Sequence, residues 1–226
     1  MGDVNQLLFV EALAGRLAGP VLEVGSRDYG NTQNLRAILK NTDFLGIDMQ
    51  AGKGVDLVLD LTDDFETVDQ ALQGRRFGTI ICMSVLEHCR DPFKMARNIE
   101  RLLVDGGILI VGAPFVWELH GFPDDYWRFT PSGIRVLFPS LDFSEIPGAA
   151  YSGRKGDSVA LDSDLFCIKF SSKNIQTRKL LGTLPANLIG LTRKLGWMKR
   201  LFGHRCVFPS VMVSMVSRKH LPTVPL

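Results

Sequence analysis

The stretch LEVGSRDYGN, residues 22–31, decides how the chain is read. It joins a short apolar run to a glycine turn, the usual approach of a strand to a nucleotide-like ligand. It lacks the G-x-G-x-x-G spacing of a dinucleotide site. Glu23, Gly25 and Gly30 are the residues whose purpose must be found in the rest of the chain.

Around it, compact runs rich in Val, Ile and Leu recur through the first half. VLEV (21–24), DFLGID (43–48), VDLVLD (55–60), FGTIICM (77–83) and GILIVGAP (107–114) read as strands. Apolar residues fill them throughout, as suits a parallel sheet covered on both faces. Helical segments are expected at 31–40, 64–73 and 92–103, the last with Asp91 as N-cap and Pro92 at its first position. The rhythm predicts an α/β, doubly wound, mostly parallel sheet. Further on, 131–138 suggests a helix, and 141–146 and 207–219 suggest strands. The stretch 150–205 shows no strand rhythm.

The bulk properties narrow the classes. The 226 residues are 46% hydrophobic and 22% charged, which suits one sizeable globular domain. No apolar run is long enough to span a membrane. The N-terminal segment reads as an amphipathic helix rather than a signal peptide. Cys82, Cys89, Cys167 and Cys206 form no C-x-x-C pair. That pattern predicts neither a disulfide scaffold nor a zinc site, and points to a reducing cytoplasm. Residues 1–164 hold 15 basic against 24 acidic side chains, whereas 165–226 hold 11 basic and no acidic ones. A basic segment behind an acidic body suits a polyanionic or membrane-surface partner.

In an open parallel sheet, ligands bind beyond the carboxyl ends of the strands. Asp48 ends the second strand, 23 residues after Gly25, where an acid accepts hydrogen bonds from a ribose diol. Asp60 ends the third. SVLEHCRDP, with Glu87 and His88, follows the fourth, and the polar and aromatic PFVWELHGFPDDYWRF follows the fifth. One strand-end Asp is commonly a turn or cap residue. Several acids behind one glycine turn favour a nucleoside ligand.

Taken together, VLEVGS, the acid in GIDMQ, VLDL, ICMSVLEHCRDP and GGILIVGAP resemble the class I S-adenosylmethionine-dependent methyltransferases. The resemblance spans about residues 18–145 and the last strand. It implies a Rossmann-like, seven-stranded sheet whose last strand is antiparallel, in a single domain with a basic helical insertion at about 150–205. It also implies S-adenosylmethionine as cofactor. The family's E/D-x-G-x-G-x-G motif is altered here: Arg27 stands at the second glycine and Tyr29 at the third, with Gly30 one place later. The implied cofactor residues are Glu23, Gly25, Ser26, Asp48, Met49, Asp60, Leu61, Ser84 and Glu87. Asp48 would bind the ribose, Asp60 and Leu61 would flank the adenine, and Ser84 with Glu87 would line the pocket. Glu23 suits the cofactor's ammonium, and a helix N-terminus suits its carboxylate.

Acceptors bind after the fifth strand in related enzymes. His120 there is the candidate acid–base residue. His88, Tyr126, Trp127 and Arg128 are candidate acceptor contacts, and the aromatic floor suits a polar ring such as a sugar. His88 has a purely structural reading as well, and so does aromatic packing of this loop over the sheet. The reaction expected is methyl transfer to oxygen of a small polar or saccharide acceptor. The alternatives are an RNA or protein methyltransferase and a non-catalytic module that binds the cofactor. No metal site and no specific nucleic-acid surface are legible. Residues 186–203 form a basic amphipathic pattern, with Leu188, Leu191 and Leu195 opposite Arg193 and Arg200. It has two readings: packing on the sheet or on a second subunit as a homodimer, or peripheral membrane contact of a cytoplasmic protein.

Overall fold

Val21–Val24 forms an inner strand of the computed structural model, which describes residues 4–30, 35–39, 42–117, 119–121, 124–144, 150–152, 158–160 and 211–221. The strands in chain order are β1 (Val21–Val24), β2 (Phe44–Asp48), β3 (Leu57–Val58), β4 (Phe77–Met83), β5 (Leu103–Val116), β6 (Leu141–Asp142), β7 (Ala150–Ser152), β8 (Ser158–Ala160) and β9 (Val211–Lys219). The helices are α1 (Val4–Leu13), α2 (Leu35–Ile38), α3 (Phe65–Ala71), α4 (Pro92–Leu102) and α5 (Pro131–Leu137).

The sheet runs β3-β2-β1-β4-β5-β9-β7-β8, with β6 also paired to β9. β3, β2, β1, β4 and β5 are parallel to their neighbours, and β9 is antiparallel to β5. This is the mostly parallel α/β sheet with an antiparallel last strand that the sequence predicts. Chain order reverses direction between β1 and β4, so the crevice at their carboxyl ends is the switch point where ligands of such sheets bind.

The ladder differs from the sequence reading in three places. β3 is an outer strand, and only Leu57–Val58 pair in register with β2. The flanking amides of Asp56 and Leu59 still donate to Gly46 O and Asp48 O. β5 is longer than the 107–114 read from sequence, because a register shift lets Leu103 pair with Phe77 and another carries pairing on to Val116. The β7–β8 pair lies where no strand was expected, since three-residue strands carry too few alternations to read. The helical pattern at 186–203 lies outside the described residues. Among the described residues, no helix is long and apolar enough to cross a membrane.

Alternation along the strands sends side chains to two cores. Leu22, Val24, Ile80, Cys82, Leu109 and Val111 face α3, α4 and α5, meeting Val68, Ile99 and Ile134. Val21, Ile81, Met83, Ile108 and Ile110 face α1 and α2, meeting Val10, Leu13 and Leu35. Helix α4 begins as its sequence predicts: Asp91 caps it, accepting from Lys94 N at 2.9 Å, and Pro92 occupies the first turn.

Two residues of the opening stretch set the turn after β1. Gly25 has φ +74°, and a Cβ there would lie 2.4 Å from Val85 Cγ2. Its amide donates to Ile47 O at 2.9 Å. Glu23 alternates onto the Val21 face, away from Val24, and is 7% exposed. Burial pushes its carboxyl up to about 7, opposed by the nearby positive charge of Arg36.

Two outcomes follow. Gly25→Ala must adopt a left-handed conformation and displace the stiff Val85, so we expect a loss of about 1–3 kcal/mol in urea unfolding. An unchanged midpoint would refute the turn assignment. Burial raises the Glu23 carboxyl from its ordinary value of 4.5 to about 7, so the fold binds the proton more tightly than the unfolded chain. Its contribution is full below pH 4.5 and declines as pH rises to 7. Thermal melts across that window should show a steeper fall for the natural protein than for Glu23→Gln.

Candidate active site

The cavity at the switch point has a volume of about 910 Å³ and is lined from the carboxyl ends of β1, β2, β4 and β5. One half is shaped by strand ends. Gly25 forms its floor, and Asp48, Met49, Asp60 and Leu61 form its wall with Leu59 and Met95. Asp48 is held at the end of β2 by accepting Gln50 N at 2.9 Å through Oδ1. Asp60 Oδ1 accepts both the amide and the hydroxyl of Thr62, at 2.8 and 2.7 Å. Asn98 on α4, 4% exposed, donates Nδ2 to Leu61 O and Asp63 O, both at 2.9 Å. That buried amide fixes the Asp60–Asp63 turn, and nothing in the sequence marks it out from any other helical Asn.

Arg27 and Tyr29, which stand where the family motif has glycine, bridge to the loop after β2. The Arg27 guanidinium donates to Gln50 Oε1 at 2.6 Å and lies 5.2 Å from the centre of the Tyr29 ring. Asp28 accepts from Gly30 N and pairs with Lys53. Tyr29 lines the cavity, whereas Arg27 does not. Glu23 and Ser26 also lie outside the lining. Glu23 is on the other strand face, and Ser26 is buried with an unpartnered Oγ.

The other half of the cavity is built by a loop returning onto the turn after β4. Ser84 has φ +55° and donates to Gln6 Oε1 of α1 at 2.8 Å. Glu87 and His88 follow in a single 3-10 turn, Leu86–His88. The Glu87 carbonyl accepts Tyr126 N at 2.7 Å and Trp127 N at 3.3 Å. His88 Nδ1 donates to Asp124 O at 2.7 Å, and Trp127 Nε1 donates to Cys89 O at 2.8 Å. Phe129 N donates to Pro114 O, after which Thr130 caps α5 by accepting Gly133 N at 3.0 Å. These bonds place His120, Tyr126, Trp117 and Gly121 against the cavity.

Asp125 organises this loop. It is paired with the Arg128 guanidinium, whose Nη2 lies 2.7 Å from Oδ2. It accepts His120 N at 3.0 Å and lies 3.2 Å from His120 Nδ1. The Arg128 bonds hold its carboxyl well below the usual carboxylate range. Of the acceptor candidates, Tyr126 and His88 line the cavity. Trp127 and Arg128 instead brace the loop.

Glu87, His88 and His120 converge, each offering a donor atom within 4.8 Å of the others. The His88 and His120 rings meet edge to face at 5.0 Å. Burial pushes the Glu87 carboxyl up to about 8, and its Oε2 has no hydrogen-bond partner among the described residues. Burial also pushes His88 down from its ordinary value, and its bond to Asp124 O puts a proton on Nδ1. The sequence has no contiguous ligand spacing to reveal this group, because His120 reaches it only through the folded loop.

The strand-end half suits a nucleoside. Carboxylates stand at adjacent strand ends, an apolar wall of Leu59, Leu61 and Met95 suits a flat base, and a Cβ at Gly25 would crowd the floor. A family model for a methyltransferase domain matches residues 22–111. No curated protein matches the chain. The N-methyltransferase NodS from Bradyrhizobium japonicum WM9 is 13% identical, with 96% of this chain and 94% of that one covered, at a TM-score of 0.50. A structure described by the conversion of a disulfide bond into a thioacetal group during echinomycin biosynthesis is 12% identical, covering 97% and 82%, at 0.50. At these identities the neighbours speak for the fold. The family match begins in β1 and ends within β5, so residues 22–111 are a methyltransferase domain, of the kind that takes S-adenosylmethionine, set in a Rossmann-like methyltransferase fold.

Proposed function

We propose that the enzyme methylates a hydroxyl oxygen of a small polar acceptor, a saccharide ring being the best fit. The observation that carries this reading is the second half of the cavity. There Trp117, Tyr126 and Gly121 offer a ring-sized floor, and the imidazoles of His88 and His120 stand beside it. S-adenosylmethionine supplies an activated methyl group on a sulfonium, so the protein need only align the acceptor and take up its proton.

The chain's residues divide that work. Asp48 receives the ribose hydroxyls at the end of β2. Asp60 and Leu61, pinned by Asn98, flank the base. Gly25 lets the backbone approach the cofactor closely. Acceptor hydroxyls bind against Tyr126 and the Asp124 region, facing the imidazoles. His120, aligned by Asp125, assists departure of the acceptor proton. Arg128 acts through Asp125 and Trp127 through Cys89, so both serve by positioning the loop.

Two measurements test the division. Asp48→Ala removes a charged hydrogen-bond partner and should weaken S-adenosylhomocysteine binding by about 1.5–3 kcal/mol in calorimetry. Unchanged affinity would refute the ribose assignment. His120→Ala should lower the rate of radiolabelled methyl transfer to a saccharide panel about 10²–10⁴-fold with cofactor affinity unchanged. Equal transfer by the variant would remove His120 from the reaction, and labelling of amines alone would overturn oxygen as the target.

A further inference from the structure

The geometry points to a divalent cation site in this cavity, formed by Glu87, His88 and His120. Two observations carry it independently. The three side chains bring one carboxylate oxygen and two imidazole nitrogens within 4.8 Å of one another, and Glu87 Oε1 lies 3.9 Å from His88 Nε2. Separately, Glu87 is 1% exposed and its Oε2 has no hydrogen-bond partner among the described residues, although buried carboxylates are ordinarily paired or bound to a metal.

The surroundings of both imidazoles match those of metal ligands. A ligating histidine usually donates its other ring N–H to a carbonyl or carboxylate, which sets its tautomer and orientation. His88 Nδ1 does so to Asp124 O at 2.7 Å, leaving Nε2 toward Glu87. His120 Nδ1 lies 3.2 Å from Asp125 Oδ2, and Asp125 is itself braced by Arg128. One loop therefore supplies the outer partner of both rings. Ligand atoms about 2.1 Å from a tetrahedral ion stand ~3.4 Å apart. Binding would have to draw the present spacing in to that value by rotation of the rings and the carboxylate.

Two nitrogens and one oxygen favour a first-row transition ion such as Mn²⁺, Co²⁺ or Zn²⁺ over Mg²⁺, which prefers oxygen. Three protein ligands leave open positions toward the acceptor side of the cavity. A cation there would balance the buried Glu87 charge and orient an acceptor hydroxyl, and His120 would then assist proton departure through the ion rather than as a free base. That use rests on the acceptor reading above, whereas binding of the ion does not.

The test is calorimetric titration of EDTA-treated full-length protein with MnCl₂, CoCl₂, ZnCl₂ and MgCl₂, with the visible spectrum of the Co²⁺ form recorded. One transition ion per chain, bound more tightly than Mg²⁺, is expected. Glu87→Gln and His120→Gln should abolish it, and Asp125→Asn should weaken it roughly 10–100-fold. A thermal melt of every variant reports that the fold is intact. Failure of the natural protein to bind any of the four ions would overturn the site. So would undiminished binding by Glu87→Gln or by His120→Gln. Retained cofactor binding and methyl transfer in that event would leave the proposed function standing while removing the ion.

Discussion

The histidine-bearing half of the cavity depends on one enclosed carboxylate. Asp125 joins a guanidinium, a backbone amide and an imidazole, drawn from residues 120 and 128 on either side of it. A carboxylate so enclosed remains ionised because Arg128 repays its desolvation with paired, charge-assisted bonds. Once Asp125 is fixed, Asp124 O meets His88, the next two amides reach the Glu87 carbonyl, and Trp127 closes on Cys89. The loop after β5 and the turn after β4 thus become one wall. Removing Arg128 alone would leave Asp125 enclosed without its main counter-charge, so the wall depends on that pair more than on the aromatic residues around it.

The strand-end half of the cavity rests on a different principle. Its polar groups sit at strand ends, whose positions follow from the sheet itself. That is why the sequence reveals Asp48 and Asp60 as strand-end residues of the cavity wall: each closes an apolar run, and strand order then brings the runs side by side. Core membership was legible for the same reason, since uninterrupted Val, Ile and Leu runs demand cover on both faces. Asn98 was not, because its value lies in two carbonyls more than thirty residues away in the chain. Asp125 and the convergence of His120 on Glu87 were hidden similarly. Residue type was visible, but partnership depends on how the loop returns. The β7–β8 pair was missed for want of length rather than of pattern.

The altered glycine loop shows how local rules bend without loss of the fold. In the usual motif, several glycines keep side chains clear of the ligand. Here Gly25 alone occupies the point of closest approach, with positive φ and Val85 close against it. Arg27 is drawn outward by Gln50, and Gly52 makes room for it, since a Cβ there would lie 2.9 Å from Arg27 Nε. Glycines have in effect moved to the partner loop, where Gly54 admits Ser26 O at a distance a side chain would not allow. The space that glycine must provide is retained between two loops rather than within one.

Glu23 and Glu87 sharpen the contrast between the halves. Both are buried carboxyls raised by desolvation, yet their settings differ. Glu23 shares its surroundings with Arg36 and Asp56, a structural charge group on the sheet face opposite the cavity core. Glu87 faces the cavity with one oxygen unpartnered, beside imidazoles whose outer nitrogens are already engaged. A purely structural acid at Glu87 would be better replaced by an apolar residue, since burying a polar group without a partner costs stability. Its placement makes physical sense when the missing partner arrives from the cavity, so the least stable feature of the pocket marks where it meets its ligand.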